Sequence, residues 1–176
     1  MSTRRHVAAA LIAAVGYLVV AGITLVKPQP SDHWNAAGRA LEAAFIVGLL
    51  GSAAATGGLR ARLARRSLGE RSARVAQLGF LGMTIASVAS LVKGGDTLGP
   101  VFLLSVLATL VGLLLLGVAA LRDGVAARWI PVVPFATMLI GMALADHGGC
   151  AVIAAGWIAM APVLNGRPTR VAVATA

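Results

Sequence analysis

Charge and sulfur are both scarce in this chain. Of its 176 residues only 12% are Asp, Glu, Lys or Arg, and Cys150 is its single cysteine. One thiol rules out an internal disulfide framework. Aromatic residues reach only 5% and are not interleaved with the basic ones, so the formal charge of +9 does not read as a nucleic-acid surface. No nucleic-acid partner is expected. Also missing are G-x-S-x-G, H-E-x-x-H and a phosphate-cradling glycine loop. We therefore expect a non-enzymatic protein with no cofactor and no metal.

What remains is apolar. A hydrophobic content of 59% and a mean hydropathy of +0.89 exceed what a soluble domain carries. The length allows about six helical spans of roughly 20 residues each. The expected fold is all-α: one polytopic membrane helix bundle over 1–176, with spans near 7–26, 35–57, 75–92, 98–121, 129–145 and 148–164. Lys27-Pro28-Gln29-Pro30 stops the first run, because proline removes a donor and disfavours helix before it. Ser31 and Asp32 can cap the second, and Gly57-Gly58 is expected to end it. Lys93-Gly94-Gly95-Asp96, Leu121-Arg122-Asp123-Gly124 and Asp146-His147-Gly148-Gly149 mark later turns, with Pro100 suited to a first helical turn. Trp34 and Trp129 suit opposite interfaces.

The basic residues alternate between gaps. Arg4, Arg5, Arg60, Arg62, Arg65, Arg66, Arg71, Arg74, Arg122, Arg128, Arg167 and Arg170 fall on one side, and only Lys27, Arg39 and Lys93 on the other. An excess of juxtamembrane Lys/Arg marks the cytoplasmic face, so both termini are expected there. The 60–74 segment reads as a basic loop lying on anionic headgroups. Arginine dominates lysine, and Ala and Gly abound, which points to a GC-rich bacterial genome and a bacterial cytoplasmic (inner) membrane. Thr3-Arg4-Arg5 resembles a twin-arginine signal, but the 7–26 run is longer than a signal h-region and more spans follow. A retained first helix is expected.

Small residues recur four apart at Ala9/Ala13, Ala10/Ala14, Gly48/Ser52, Gly79/Met83 (with Gly82 nearby) and Gly112/Leu116 (with Gly117). That spacing lets membrane helices approach closely. The three hairpin tips carry Asp32, Asp96 and Asp146, two of them as Asp-His, which is weak internal similarity without an inverted repeat. His33, His147, Asp32, Asp146 and Cys150 are metal-ligating types towards the outside, but they match no known metal motif and a full ligand set would have to come from separate hairpins.

Two charges fall inside a span, Arg39 and Glu42. At the bilayer centre each would cost about 2.5–3.5 kcal/mol on insertion scales. Three residues apart, they share a helical face, with Asn35 one turn outward and Glu42 about 4.5 Å deeper than Arg39. Either they position span two near the interface, or Glu42 binds a ligand or handles protons. Thr84, Ser87, Ser90, Ser105, Thr109 and Thr137 could converge on an outward polar cavity, or bond to carbonyls of their own helices. Asn35, Arg39, Glu42, Ser87 and Ser105 are the ligand- or ion-binding candidates. Tyr17 and Trp157, near mid-depth, call for polar partners.

Three resemblances bear on function. Asp123-Gly124-Val125-Ala126-Ala127-Arg128 resembles the D-G-x-x-A-R core of CDP-alcohol phosphatidyltransferases. The other carboxylate positions would fall on Ala120, Gly141 and Ala145, with the family glycine at Thr137. Three of four metal-holding carboxylates are missing, so that chemistry is excluded. The topology resembles substrate-binding subunits of energy-coupling-factor transporters, and Ala9-x-x-x-Ala13 and Ala10-x-x-x-Ala14 are similar to the motif such subunits present to a coupling subunit. Leu121 to Pro134 resembles stretches of small uncharacterised bacterial six-span proteins.

The reading is thus an accessory or interaction subunit whose partners are the lipid bilayer and a membrane subunit or second copy. The alternative is a small-solute binding or transport protein with a small-molecule ligand at Arg39/Glu42. The orientation is directly testable. In a Cys150→Ala background, Ala64→Cys should label only after permeabilisation and Asp146→Cys from outside intact cells; the reverse pattern would invert the topology.

Overall fold

The computed structural model describes residues 3–26, 35–63, 67–93, 98–124 and 132–165. They form six α-helices: α1 Thr3–Val26, α2 Ala36–Leu63, α3 Ser67–Lys93, α4 Gly99–Arg122, α5 Val133–Ala143 and α6 Cys150–Asn165. The first four are long and apolar enough to cross a membrane, while α5 and α6 are shorter apolar helices. At about 1.5 Å per residue, even the 24-residue α1 and α4 exceed the roughly 30 Å hydrocarbon layer. The chain is therefore an all-α, multi-pass membrane protein.

Packing runs α4–α3–α2–α1–α6–α5, and α5 returns to touch α4. The sixth helix thus closes the row by lying beside the first. Gly148 packs against Leu25 at one end of α1, while Leu164 and His6 both press on Gly58 at the other. The start of α1 and the end of α6 consequently share one end of the bundle. Arg4, Arg5, Arg60, Arg62, Arg71, Arg74 and Arg122 gather at that same end, and Arg39 and Lys93 lie towards the opposite one.

Several boundaries differ from expectation for physical reasons. α2 does not end at Gly57-Gly58 but continues to Leu63. A helical glycine costs about 1 kcal/mol relative to alanine, yet a β-carbon at Gly58 would lie 2.6 Å from the His6 β-carbon and 2.8 Å from Leu164 Cδ2. These glycines make room for neighbours instead of stopping the helix. α3 begins at Ser67, not 75, so most of the expected 60–74 loop is helical and only 64–66 lie outside the described residues. Asn35 caps α2, its Oδ1 accepting from the Gly38 N–H at 2.7 Å. The expected cap residues Ser31 and Asp32, the 27–30 stop, His33, Trp34, 94–96, 125–129, Arg167 and Arg170 also lie outside the described residues.

Other turns follow the sequence. Pro100 occupies the first turn of α4, and Asp123 and Gly124 end that helix with backbone bonds to Ala119 and Leu121. A single 3₁₀ turn, Ala145–His147, joins α5 to α6. Gly148 follows it at φ 77°, a left-handed conformation that a β-carbon disfavours.

Two helical hairpins are built on one register. In α1 the small residues Ala9, Ala13 and Gly16 stand at i, i+4, i+7, as do Ala44, Gly48 and Gly51 in α2. A β-carbon on Gly16 would meet Gly48 N at 2.6 Å and Ala44 O at 2.8 Å; one on Gly51 would meet Ala13 N at 2.6 Å and Ala9 O at 2.8 Å. The second hairpin repeats this with Ser72, Ala76, Gly79 on α3 and Ser105, Thr109, Gly112 on α4. A β-carbon on Gly79 would meet Ser105 O at 2.6 Å and Thr109 N at 2.7 Å, and one on Gly112 would meet Ala76 N at 2.5 Å and Ser72 O at 2.8 Å. Each pair of backbones thus meets through reciprocal glycines. In the α5–α6 hairpin, Gly156 abuts Thr137 and Gly141 abuts Ile153 and Gly149.

Overpacking such a seam typically costs about 1–3 kcal/mol. Gly51→Ala should therefore lower the melting midpoint in detergent clearly. Gly22→Ala, where nothing lies within 4 Å, should leave it unchanged or slightly raised; equal midpoints for the two variants would dismiss the seam.

Candidate functional site

The five sequence candidates do not form one cluster. Asn35 is committed to capping α2. Arg39 is exposed one turn further on, and Glu42 is half-buried on the same helix. Gln77 Nε2 donates to the Ala53 carbonyl across α2 and α3 at 3.1 Å, and Arg60 meets Glu70. Those pairings set an antiparallel register that puts Ser87 within about one residue's rise of the Glu42 level. Ser87 is buried on α3.

Ser105 is elsewhere. It packs against Gly82 of α3, five residues before Ser87, hence about 7 Å nearer the arginine-rich end. An aromatic layer intervenes in depth. Phe45 of α2 lies one turn beyond Glu42, Phe102 of α4 one turn before Ser105, and their rings meet with centroids 6.3 Å apart. Tyr17 of α1 extends the layer edge-on to Phe45 at 6.1 Å. The space between α2 and α4 at this depth thus holds two rings.

Most other hydroxyls on the helices turn back on their own backbone. Thr84 donates to Phe80 O at 2.8 Å, Thr109 to Ser105 O at 2.9 Å, Thr137 to Val133 O at 2.8 Å and Thr56 to Ser52 O at 2.8 Å. This satisfies a donor where no water is available.

Tyr17 is the exception. Its side chain is fully buried, its ring lies against Gly48, and its hydroxyl is 3.2 Å from Ser52 Oγ. Ser52 donates its own proton to Gly48 O at 2.8 Å, so the phenol is the donor in the pair. The result is a relay, Tyr17 O–H to Ser52 O–H to the Gly48 carbonyl, in which each bond polarises the next. Trp157, the other mid-depth candidate, packs on Phe80 with centroids 6.2 Å apart, linking α6 to α3.

The arginine-rich end holds polar side chains that the sequence did not single out. His6 Nδ1 lies 3.2 Å from the Ala54 carbonyl, which requires the proton on Nδ1. Gln77 occupies the adjacent carbonyl, Ala53. Consecutive carbonyls of α2 are thus clamped by α1 on one side and α3 on the other. Beyond them, Glu70 Oε1 accepts from Arg60 and Arg74, each at 2.7 Å, tying the end of α2 to the start of α3. A carboxamide inside an apolar run was the available signal for Gln77. His6 and the ion-pair trio carried none, since their partners lie across a helix boundary.

Comparison with protein-family models, with curated proteins and with solved structures finds no match to this chain. The resemblances must therefore stand on the geometry alone. Ala9, Ala10, Ala13 and Ala14 are all buried in the core, and Ala9 and Ala13 face Gly51 of α2. The alanine motif that resembles a coupling-subunit contact is occupied by the chain's own helix. Ala120 is likewise buried in the core, and Thr137 and Gly141 pack against α6, where a phosphatidyltransferase would need open metal-binding positions. Asp146 and His147 are exposed in the 3₁₀ turn and Cys150 is half-buried after it. Among the described residues no three His, Cys, Asp or Glu side chains cluster as metal ligands.

The relay makes an asymmetric prediction. Tyr17→Phe removes a donor and should cost about 0.6 kcal/mol, the mean for a bond between membrane helices. Ser52→Ala leaves the buried phenol without its acceptor and should cost more, about 1–3 kcal/mol. Thermal denaturation in detergent reads both, and the opposite ranking would show that Tyr17 has another acceptor.

Proposed function

We propose that this chain is a non-catalytic accessory subunit of a bacterial cytoplasmic membrane, with both ends cytoplasmic, that packs against a partner membrane helix or a second copy of itself. The orientation follows from the arginine-rich end, since basic residues are retained on the cytoplasmic side.

One observation carries the interaction reading. One face of α2 bears Ala36, Ala40 and Ala43, all exposed among the described residues, at i, i+4, i+7. This is the spacing that brings α1 to α2 and α3 to α4. Small side chains lower the cost of close backbone approach where lipid supplies no hydrophobic drive for association. The hydroxyls of Tyr17, Ser52, Thr56, Thr84, Thr109 and Thr137 support the same reading, because they are engaged on helix carbonyls or on each other.

The alternative, a solute-binding or transport role at Arg39 and Glu42, is favoured by the depth of a half-buried acid on a membrane helix, a costly placement. One experiment separates them. Purified in mild detergent, the protein should run with a fixed partner or as a defined oligomer, and Ala40→Leu should release it without lowering the melting midpoint. Glu42→Gln should leave that assembly intact. A stable monomer carrying a small molecule, whose thermal protection Glu42→Gln abolishes, would replace the accessory role with the solute role.

A further inference from the structure

Between α2 and α3 an open groove of about 470 Å³ runs along the surface of the bundle. Ala53 and Ala54 of α2 line it together with Leu50, Leu78 and Leu81, with Arg74 near its arginine-rich end. Its volume is within the range of small-molecule sites, and it lies open on the bundle surface with its lining spaced lengthwise along α3. From Arg74 to Leu81 is seven residues, about 10 Å along the helix, or about two thirds of one leaflet of a 30 Å hydrocarbon layer. The walls are aliphatic along that length. Gln77, the other polar residue lining it, is tied to the Ala53 carbonyl.

The charge at the mouth selects the headgroup. Arg71 lies three residues before Arg74, so the two share a face of α3, and both are exposed. Glu70 accepts from Arg74 and from Arg60, so this group of three arginines and one acid keeps an excess of positive charge. The Glu70 carboxylate bonds one guanidinium nitrogen of Arg74, and a guanidinium has further N–H donors in a planar fork that suits phosphate oxygens. Basic sites between membrane helices at the cytoplasmic face bind anionic headgroups on this principle.

We propose that the α2–α3 groove is a binding site for one anionic glycerophospholipid. An acyl chain lies along Ala53, Ala54 and Leu78, and the phosphodiester is held by Arg74 and Arg71. The small side chains at 53 and 54 create the room for the chain. This site occupies the arginine-rich half of α2, whereas the proposed partner contact uses Ala36 to Ala43, so either can fail alone.

The full-length chain in detergent tests it, with bound lipids counted by native mass spectrometry and stability read by thermal melting. Dioleoylphosphatidylglycerol should be retained at one per chain and raise the melting midpoint. Dioleoylphosphatidylcholine and inorganic phosphate should do neither. Ala54→Phe fills the groove from an exposed position and leaves the ion pairs intact; it should weaken retention at least tenfold, as should Arg74→Ala. Arg122→Ala, at the end of α4, should retain lipid like the parent. Equal retention of the two lipids, full retention by Ala54→Phe, equal loss in Arg122→Ala, or stabilisation by phosphate alone would each overturn the site. Should Arg74→Ala not fold, Ala54→Phe decides.

Discussion

Close approach of helix backbones is the constraint on which this bundle depends. Lipid tails are as apolar as leucine, so burying aliphatic side chains between membrane helices gains little; van der Waals contact and hydrogen bonds must hold them together. Both improve as the backbones near each other. The reciprocal glycines of α1–α2 and α3–α4 achieve this, and the repeated i, i+4, i+7 register follows from the need to keep small residues facing one another along antiparallel helices. Larger side chains are displaced to the opposite faces, where Leu78, Ile85 and Leu104 are more than 60% exposed and face lipid.

The polar side chains follow from the same constraint. Once two helices touch, a hydroxyl or amide on the seam has no water and must find an acceptor in the protein. Tyr17 and Ser52 do so across α1 and α2, and Gln77 across α3 and α2. His6 does it at the bundle end, where α2 is continuous through Gly57-Gly58 because those glycines admit His6 and Leu164. Polarity here strengthens packing. The lipid groove is the counterpart of the seams: where Ala54 is exposed near Arg74, the room it leaves is open to the membrane.

Sequence periodicity made the helices legible, and the turn at Asp146–Gly149 and the helix end at Asp123-Gly124 were readable from glycine chemistry. The ends of α2 and the start of α3 were not. Gly57-Gly58 carries the composition of a helix stop, and only its neighbours reveal that it is a notch. Among the candidate residues, the shared face of Arg39 and Glu42 was readable from spacing of three. That Ser105 sits beyond the Phe45–Phe102 layer was not, because it depends on the register between helices. The alanine spacings of α1 were legible as close-packing residues, but that Ala9 and Ala13 meet Gly51 of α2 was not.

Local composition makes the chain helical, membrane-embedded and charge-segregated. An apolar run must satisfy its own backbone bonds in lipid, and arginine resists entry. The tertiary structure alone decided which small residues form seams and which face outward, which polar groups bond to each other, and where room is left between helices. Those are properties of rotation and register about each helix axis. Within a chain so rich in alanine and glycine, many rotations satisfy the same pattern until the neighbouring helix selects one.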